Sequence, residues 1–372
     1  MKIGFLCAHD PRDRTSFSGT AYHAFKALEA LAEAGIVSDL RLLGWRSGGL
    51  VGSDRFSALF RTVSGSARVR QAKLEDGCDF GLDWIVSLAS TELAVSALPR
   101  LHTRLAHITD ATPQFLREQY GWNLPASVDR AERKLVLAAD AIVYSSEFMA
   151  DRVCTDFGVD ISGKVRAIPF GVNLDHVPDA PRHPDASPSL GDPLQLLFIG
   201  GDWERKGGPL ALEILMVLLA KGIPARLTIV GSDPVAAVGI PQVTVHPFLN
   251  KNSPAGSAQF DALLDAAHLL LLPTRADCTP MVVAEANAHS VPALVTNVGG
   301  ISSILSNDRN GLLMSPSASA DDWVAAIQNM IADQECYKRR REASFAFFRE
   351  RLNWKVWAHD LVKFLASLEA QP

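Results

Sequence analysis

Short apolar runs recur along the whole chain, and each is followed by a longer stretch with helical spacing. The first half carries KIGFLC (2–7), LRLLG (40–44), WIVSLAS (84–90), LAHIT (105–109), AIVYSS (141–146) and VRAIPFG (165–171). The second half carries LQLLFIG (194–200), LTIVG (227–231), VTVHPF (243–248), LLLLP (269–273), PALVT (292–296) and GLLM (311–314). A strand without polar alternation is covered on both faces, and such strands separated by helices predict parallel sheets. Two successive sets predict an α/β protein built from two doubly wound, Rossmann-like domains.

Between the sets lies HVPDAPRHPDASPSLGDP, from His176 to Pro193. Proline is excluded from helix interiors and central strands, and this segment has no apolar cluster, so it reads as a linker. The expected division is 1–177, a linker at 178–193, and a second domain at 194–350. The tail places Trp354, Trp357, Leu361, Phe364, Leu365 and Leu368 on one helical face. Residues 351–372 are therefore expected as a C-terminal helix docked back near the first domain. The stretch from Arg46 to Arg70 scatters arginines among Gly and Ser and reads as a solvated loop with a short helix, ahead of an acceptor-binding surface.

Composition narrows the class. With 372 residues, 48% of them hydrophobic, the chain can bury two cores and is not a disordered polymer. A formal net charge of −5 weighs against nucleic-acid binding, yet leaves small anions open because local cations decide that. The five cysteines are scattered with no CxxC spacing, as expected for reduced thiols in a cytoplasmic protein with no zinc site. The apolar run at the N-terminus is too short for a signal peptide, and Leu210–Ala220 is too short to span a bilayer. No membrane contact is indicated.

Candidate chemistry begins at GGDWERKGGP, Gly200 to Pro209, between a buried strand and an apolar helix. In open parallel sheets, ligands bind beyond the carboxyl ends of strands. Gly200 and Gly201 would let backbone approach a ligand. Gly208 before Pro209 reads as an N-cap and first-turn pair, leaving free N–H groups that attract an anion. Arg205 and Lys206 precede that helix start, where cations are disfavoured unless an anion is bound. The chain has no GxxxxGK[ST] and no GxGxxG, so neither a Walker nucleotidase nor a dinucleotide fold is indicated.

A second candidate lies in LLLLPTRADCTPMVVAEANAHSVPALVT, Leu269 to Thr296. Thr279 and Pro280 again read as N-cap and first turn, so Met281 and Val282 would carry free amides. Glu285, a turn and a half further on, can accept hydrogen bonds from a ribose diol. Phosphate and sugar hydroxyls could then be met within one domain.

TRADCTPMVVAEANAHSVPALVTNVGGISSIL followed by NGLL resembles the C-terminal half of glycosyltransferase family 4 (group 1), retaining enzymes of the GT-B fold. That resemblance implies two Rossmann-like domains facing each other across a cleft, acceptor side first and nucleotide-sugar donor side second. The family's Glu-x7-Glu motif falls on Asp277 and Glu285, the second carboxylate holding the donor ribose, with Met281 and Val282 at the amide positions. The first carboxylate is Asp here. The family's Arg, five residues before a Lys-Gly, falls on Gly201, which leaves Arg205 as the nearest substitute beside Lys206. Gly299-Gly300 matches as a structural turn.

In the first half, Ser18-Gly19-Thr20 precedes a helix, and the resemblance implies a glycine loop there, with Gly19 and Thr20 facing the donor phosphates. His107 and Asp110, at the end of LAHIT, share the expected contact to the transferred sugar. The reading as a whole is a retaining, metal-independent transfer from a nucleotide diphosphate sugar, a co-substrate in a protein with no bound cofactor. The acceptor is an unidentified sugar, lipid-linked or small molecule. Lys206, Arg205, Asp277, Asp110 and His107 are the catalytic candidates. The rivals are a nucleotide-sugar epimerase on the same fold, for which His107 and Asp110 are the obvious acid and base candidates, and a sugar-nucleotide-binding protein without chemistry.

Overall fold

The computed structural model describes residues 1–8, 11–12, 14, 19–43, 81–182, 192–307 and 309–370. The arginine-rich stretch Arg46–Arg70 lies outside the described residues, as does Ser18. The chain forms two units, Met1–Gly171 with Trp354–Pro372, and Val172–Asn353.

The first unit holds a six-stranded parallel sheet: β1 (Lys2–Leu6), β2 (Asp39–Leu43), β3 (Trp84–Leu88), β4 (Arg104–Thr109), β5 (Ala141–Tyr144) and β6 (Val165–Ala167), in the order β2-β1-β3-β4-β5-β6. Its helices are α1 (Thr20–Glu33), α2 (Thr91–Ala97), α3 (Pro113–Tyr120), α4 (Ala126–Ala138) and α5 (Glu147–Phe157). Every residue of β3 and β5 is buried, which is why these strands lack polar alternation. The edge strand β2 is only half-buried.

The second unit repeats the plan with β7 (Leu194–Ile199), β8 (Ala225–Val230), β9 (Val243–His246), β10 (Leu269–Leu272), β11 (Ala293–Thr296) and β12 (Gly311–Met314). Their order is β12-β11-β10-β7-β8-β9. The helices are α6 (Gly208–Ala220), α7 (Pro254–Ala266), α8 (Met281–Ala288), α9 (Ala320–Ile331) and α10 (Gln334–Arg351). Helix α6 is apolar almost all round because it lies between the sheet and α9. The strand order reverses between the paired neighbours β7 and β10, so the loops leaving those two strands flank a switch point, where open sheets bind ligands.

All twelve apolar runs form strands, each within a residue or two of its expected limits except β6, which stops short. The C-terminal helix α11 (Trp354–Glu369) belongs to the first unit and packs on α1. Trp354, Trp357, Leu361, Phe364 and Leu365 are buried in it, and the Trp84 indole donates to Glu369 at 2.7 Å.

The two units meet in the chain at Gly171 and Val172, and residues 183–191 of the expected linker lie outside the described residues. Val172 and Leu174 already belong to the second unit's core. Further along, the Arg182 amide donates to the Ser290 hydroxyl at 2.9 Å, and the Arg341 guanidinium donates to the Arg182 carbonyl. Arg182 is thus tied to the surface of the second unit.

Candidate functional site

The loops after β7 and β10 are stitched together. The Arg275 amide donates to the Arg205 carbonyl at 2.8 Å, and the Thr274 hydroxyl donates to the same oxygen. Arg205 returns a bond from Nη1 to the Ala276 carbonyl at 2.8 Å and another from Nε to Asp202 at 3.1 Å. Gly207, at φ +79°, lies so close to this second loop that a Cβ would fall 1.8 Å from the Pro273 carbonyl oxygen. Only glycine fits there.

This stitching brings Lys206 to Asp277, Nζ to Oδ2 at 2.5 Å, with both side chains largely buried. Glycine at 200 makes the room, since a Cβ there would meet the Lys206 stem at 2.9 Å. Gly200 is thus shaped to its own lysine, whereas Gly201 is exposed. The cations expected to be mismatched with the helix start have partners inside the protein: Asp277 for Lys206, and Asp202 with a carbonyl for Arg205. An unbalanced charge therefore no longer argues for an anion. What remains at the switch point is the Lys206–Asp277 pair, held between the two loops.

Both helix starts shift by one residue from expectation. The N-cap of α6 is Gly207, in the left-handed region, with Gly208 and Pro209 already helical. Helix α8 begins at Met281 with Pro280 as its extended N-cap, while Thr279 lies outside. Left-handed Gly207 supplies the sharp entry that a Cβ-bearing cap could not make, and the fixed φ of Pro280 suits the extended cap. In α8 the Val283 amide already bonds the Pro280 carbonyl at 3.1 Å. Met281 and Val282 occupy the first turn, where amides have no intrahelical acceptor.

Glu285 is buried on α8, its side chain 2% exposed, and its Oε1 accepts from Lys251 Nζ at 2.5 Å. Nothing in the sequence pattern marked Lys251, which sits in the loop between β9 and α7. The turn at Gly299-Gly300 braces the first carboxylate's backbone, the Gly300 amide donating to the Asp277 carbonyl. Behind α8, buried Asn287 and Asn310 bond each other at 2.6 Å, so the Asn-Gly of NGLL holds the helix in place.

The structure thus gathers Gly201, Arg205, Lys206, Asp277, Thr279, Pro280, Met281, Val282 and Glu285 on one end of the second unit's sheet. Gly19, Thr20, His107 and Asp110 belong to the first unit. Gly19 is the left-handed N-cap of α1 at φ +86°, and Thr20, its first residue, is buried. Asp110 follows β4 at that sheet's carboxyl end.

His107 belongs to the first unit's interior. It lies inside β4 with 0% exposure, and Nε2 meets Glu132 of α4 at 2.8 Å. The side chain points into a face covered by helices, where a polar ring needs a buried partner. Its Nδ1 is buried with no hydrogen-bond partner among the described residues. Burial opposes the charge on Glu132, but the His107 ring and the Thr91 hydroxyl outweigh it and hold the carboxyl below its ordinary range. A depressed folded-state pKa gives stability that is full above the unfolded-chain value, ~4.3, and is lost as pH falls through the folded value. Glu132→Gln should therefore flatten the acid limb of the stability curve, read by thermal melts across the acid range. An unchanged limb would contradict the pairing.

Among the described residues no helix is long and apolar enough to cross a membrane. Residues 193–333 match the family model described as Glycosyl transferases group 1. A glycogen synthase from Mycobacterium tuberculosis is 26% identical over 283 residues, covering 74% of this chain and 65% of its own length. A D-inositol 3-phosphate glycosyltransferase from Paenarthrobacter aurescens is 24% identical over 267 residues, covering 67% of this chain and 63% of its own. The chain thus spans just under two thirds of the length of these curated relatives. Among solved structures, a sucrose-phosphate synthase from Thermosynechococcus elongatus superposes with a TM-score of 0.69 at 18% identity, each chain covered to 100%. HepE from Anabaena, solved with UDP and glucose, gives 0.63 at 14% identity, covering 99% of this chain and 100% of its own. These likenesses, with two six-stranded parallel sheets, show the GT-B fold. The loops after β7 and β10 described above all fall within the stretch, residues 193–333, that matches the group 1 glycosyl transferase model.

Proposed function

We propose that the protein transfers a sugar from a nucleotide diphosphate sugar to an acceptor hydroxyl, with retention at the anomeric carbon and without a metal ion. The observation that carries this reading is the cluster at the β7/β10 switch point. There Lys206, Asp277, the first turn of α8 and Glu285 offer, in sequence, a cation, a sugar-facing carboxylate, free amides and a diol acceptor. The relatives named as glycogen synthase and inositol phosphate glycosyltransferase, and the HepE complex with UDP and glucose, support the same class.

The bond from the anomeric carbon to the diphosphate oxygen breaks, leaving negative charge on the phosphate. Lys206 has three N–H donors, so it can keep Asp277 and still donate to that oxygen. The amides of Met281 and Val282 point positive character the same way. Asp277, held by Lys206, accepts from the hydroxyls of the departing sugar. The acceptor oxygen bonds to the anomeric carbon, and its proton passes to the leaving phosphate. Gly19, Thr20 and Asp110 are the first unit's candidates for the phosphate and sugar contacts.

Incubation with labelled sugar nucleotides tests the reaction class. Transfer, or slow hydrolysis releasing the same anomer, measured by proton NMR and persisting in EDTA, is the expected outcome. Inversion, or no cleavage of any sugar nucleotide offered, would sink the proposal. Glu285→Ala should weaken nucleoside diphosphate binding by about tenfold or more while the melting temperature holds, because it removes the acceptor for the ribose hydroxyls. Unchanged affinity by calorimetry would remove that role.

A further inference from the structure

Lys251 occupies a place that the proposed reaction does not use. It holds one oxygen of the carboxylate assigned to the ribose, and that carboxylate is almost completely buried. Its loop is pinned by its own hydrogen bonds. The Lys251 amide donates to the Leu249 carbonyl, the Ser253 amide to the Asn250 carbonyl at 3.0 Å, and the Gly256 amide to the Ser253 hydroxyl that caps α7. Gly256 packs so tightly on Asn250 that a Cβ would fall 2.2 Å from its carbonyl oxygen. The ammonium lies 4.9 Å from the centre of the Phe260 ring, a second restraint on the same group. Backbone and side chain of Lys251 are both fixed before any ligand arrives.

Glu285 Oε1 is taken by Lys251, and Oε2 accepts no hydrogen bond from a described residue. A carboxylate free at both oxygens could rotate and accept from many donors. One clamped at Oε1 presents Oε2 at a single orientation, with two lone-pair sites that can accept from both hydroxyls of a ribose at once. We propose that Lys251 is a positioning residue that makes the donor site demand an intact 2′,3′-diol on the nucleoside. This rests on the assignment of Glu285 to the ribose.

The test compares nucleoside diphosphates (uridine, guanosine and adenosine) with their 2′-deoxy counterparts by calorimetry, with inorganic pyrophosphate as a probe of the phosphate subsite alone. The wild type should prefer the best ribonucleotide over its deoxy form by about tenfold, the effect of losing a hydrogen bond to a charged group. Lys251→Met should bring that ratio close to one while pyrophosphate affinity is kept, and Lys251→Arg should restore most of it. A uniform loss for all ligands, pyrophosphate included, would mark Lys251 as merely structural and overturn the inference. So would a Lys251→Met variant that keeps the wild-type ratio. Glu285→Gln separates the two layers. If it abolishes the preference while Lys251→Met preserves it, only the role of Lys251 fails. If Glu285→Gln leaves the preference intact, the ribose assignment fails and the inference falls with it.

Discussion

Replacing Lys206 with alanine is expected to lower sugar transfer by about 100-fold, the effect of removing one preorganised donor from a developing oxyanion. Two physical losses combine in that variant. The cation that meets charge on the departing phosphate is gone, and Asp277, only 6% exposed, is left without its partner beside an incoming diphosphate. The two losses separate in a double-mutant cycle. Asp277→Asn added to Lys206→Ala should recover part of the binding of a nucleoside diphosphate, because the uncompensated carboxylate is removed, but should not recover turnover. Steady-state kinetics with the sugar nucleotide then place the lysine's effect in kcat as well as KM. A Lys206→Ala enzyme that turns over at the wild-type rate would show the β7 loop to be a connection and no more.

Arg341→Leu should lower the stability of the second unit by about 3 kcal/mol, because buried carbonyls lose a charged donor. Arg341 is 1% exposed, on α10. Its Nη1 donates to the Ala267 carbonyl at 3.1 Å, and its Nη2 to the carbonyls of Arg182 and His289 at 3.2 and 3.5 Å. Ala267 and His289 are the C-caps of α7 and α8, so the guanidinium sits against the negative ends of two helix dipoles. That arrangement offsets the cost of burying the cation without a carboxylate. It also ties the far end of α8, whose near end carries the first-turn amides of Met281 and Val282, to the last helix of the unit. Chemical denaturation should show the loss. Donor affinity should fall too, even where the variant is still fully folded, because α8 is less firmly held. A variant of wild-type stability would contradict the anchoring.

The fold was legible because its signal is large and local. Runs such as WIVSL and LLLL have no polar residue to show to water, and that alone specifies a strand covered on both sides. The candidate loops were legible for a topological reason: GGDWERKGGP and TRADCTP each follow a buried strand and carry glycine or proline at a helix start. Long-range partners were not legible. Lys251 and Glu285 are 34 residues apart, and Arg341 lies 74 residues from Ala267. No spacing rule connects such residues; only the packing of α7, α8 and α10 does. The partner of His107, Glu132, lies 25 residues away and was equally hidden from any spacing rule.

The central claim is that the loops after β7 and β10 form one nucleoside diphosphate site. Calorimetric titration of the intact protein with uridine, guanosine and adenosine diphosphates tests it most directly. Saturable one-to-one binding of at least one of them, weakened in both Lys206→Ala and Glu285→Ala, is the predicted result. Binding of none, or binding that neither substitution touches, would contradict it.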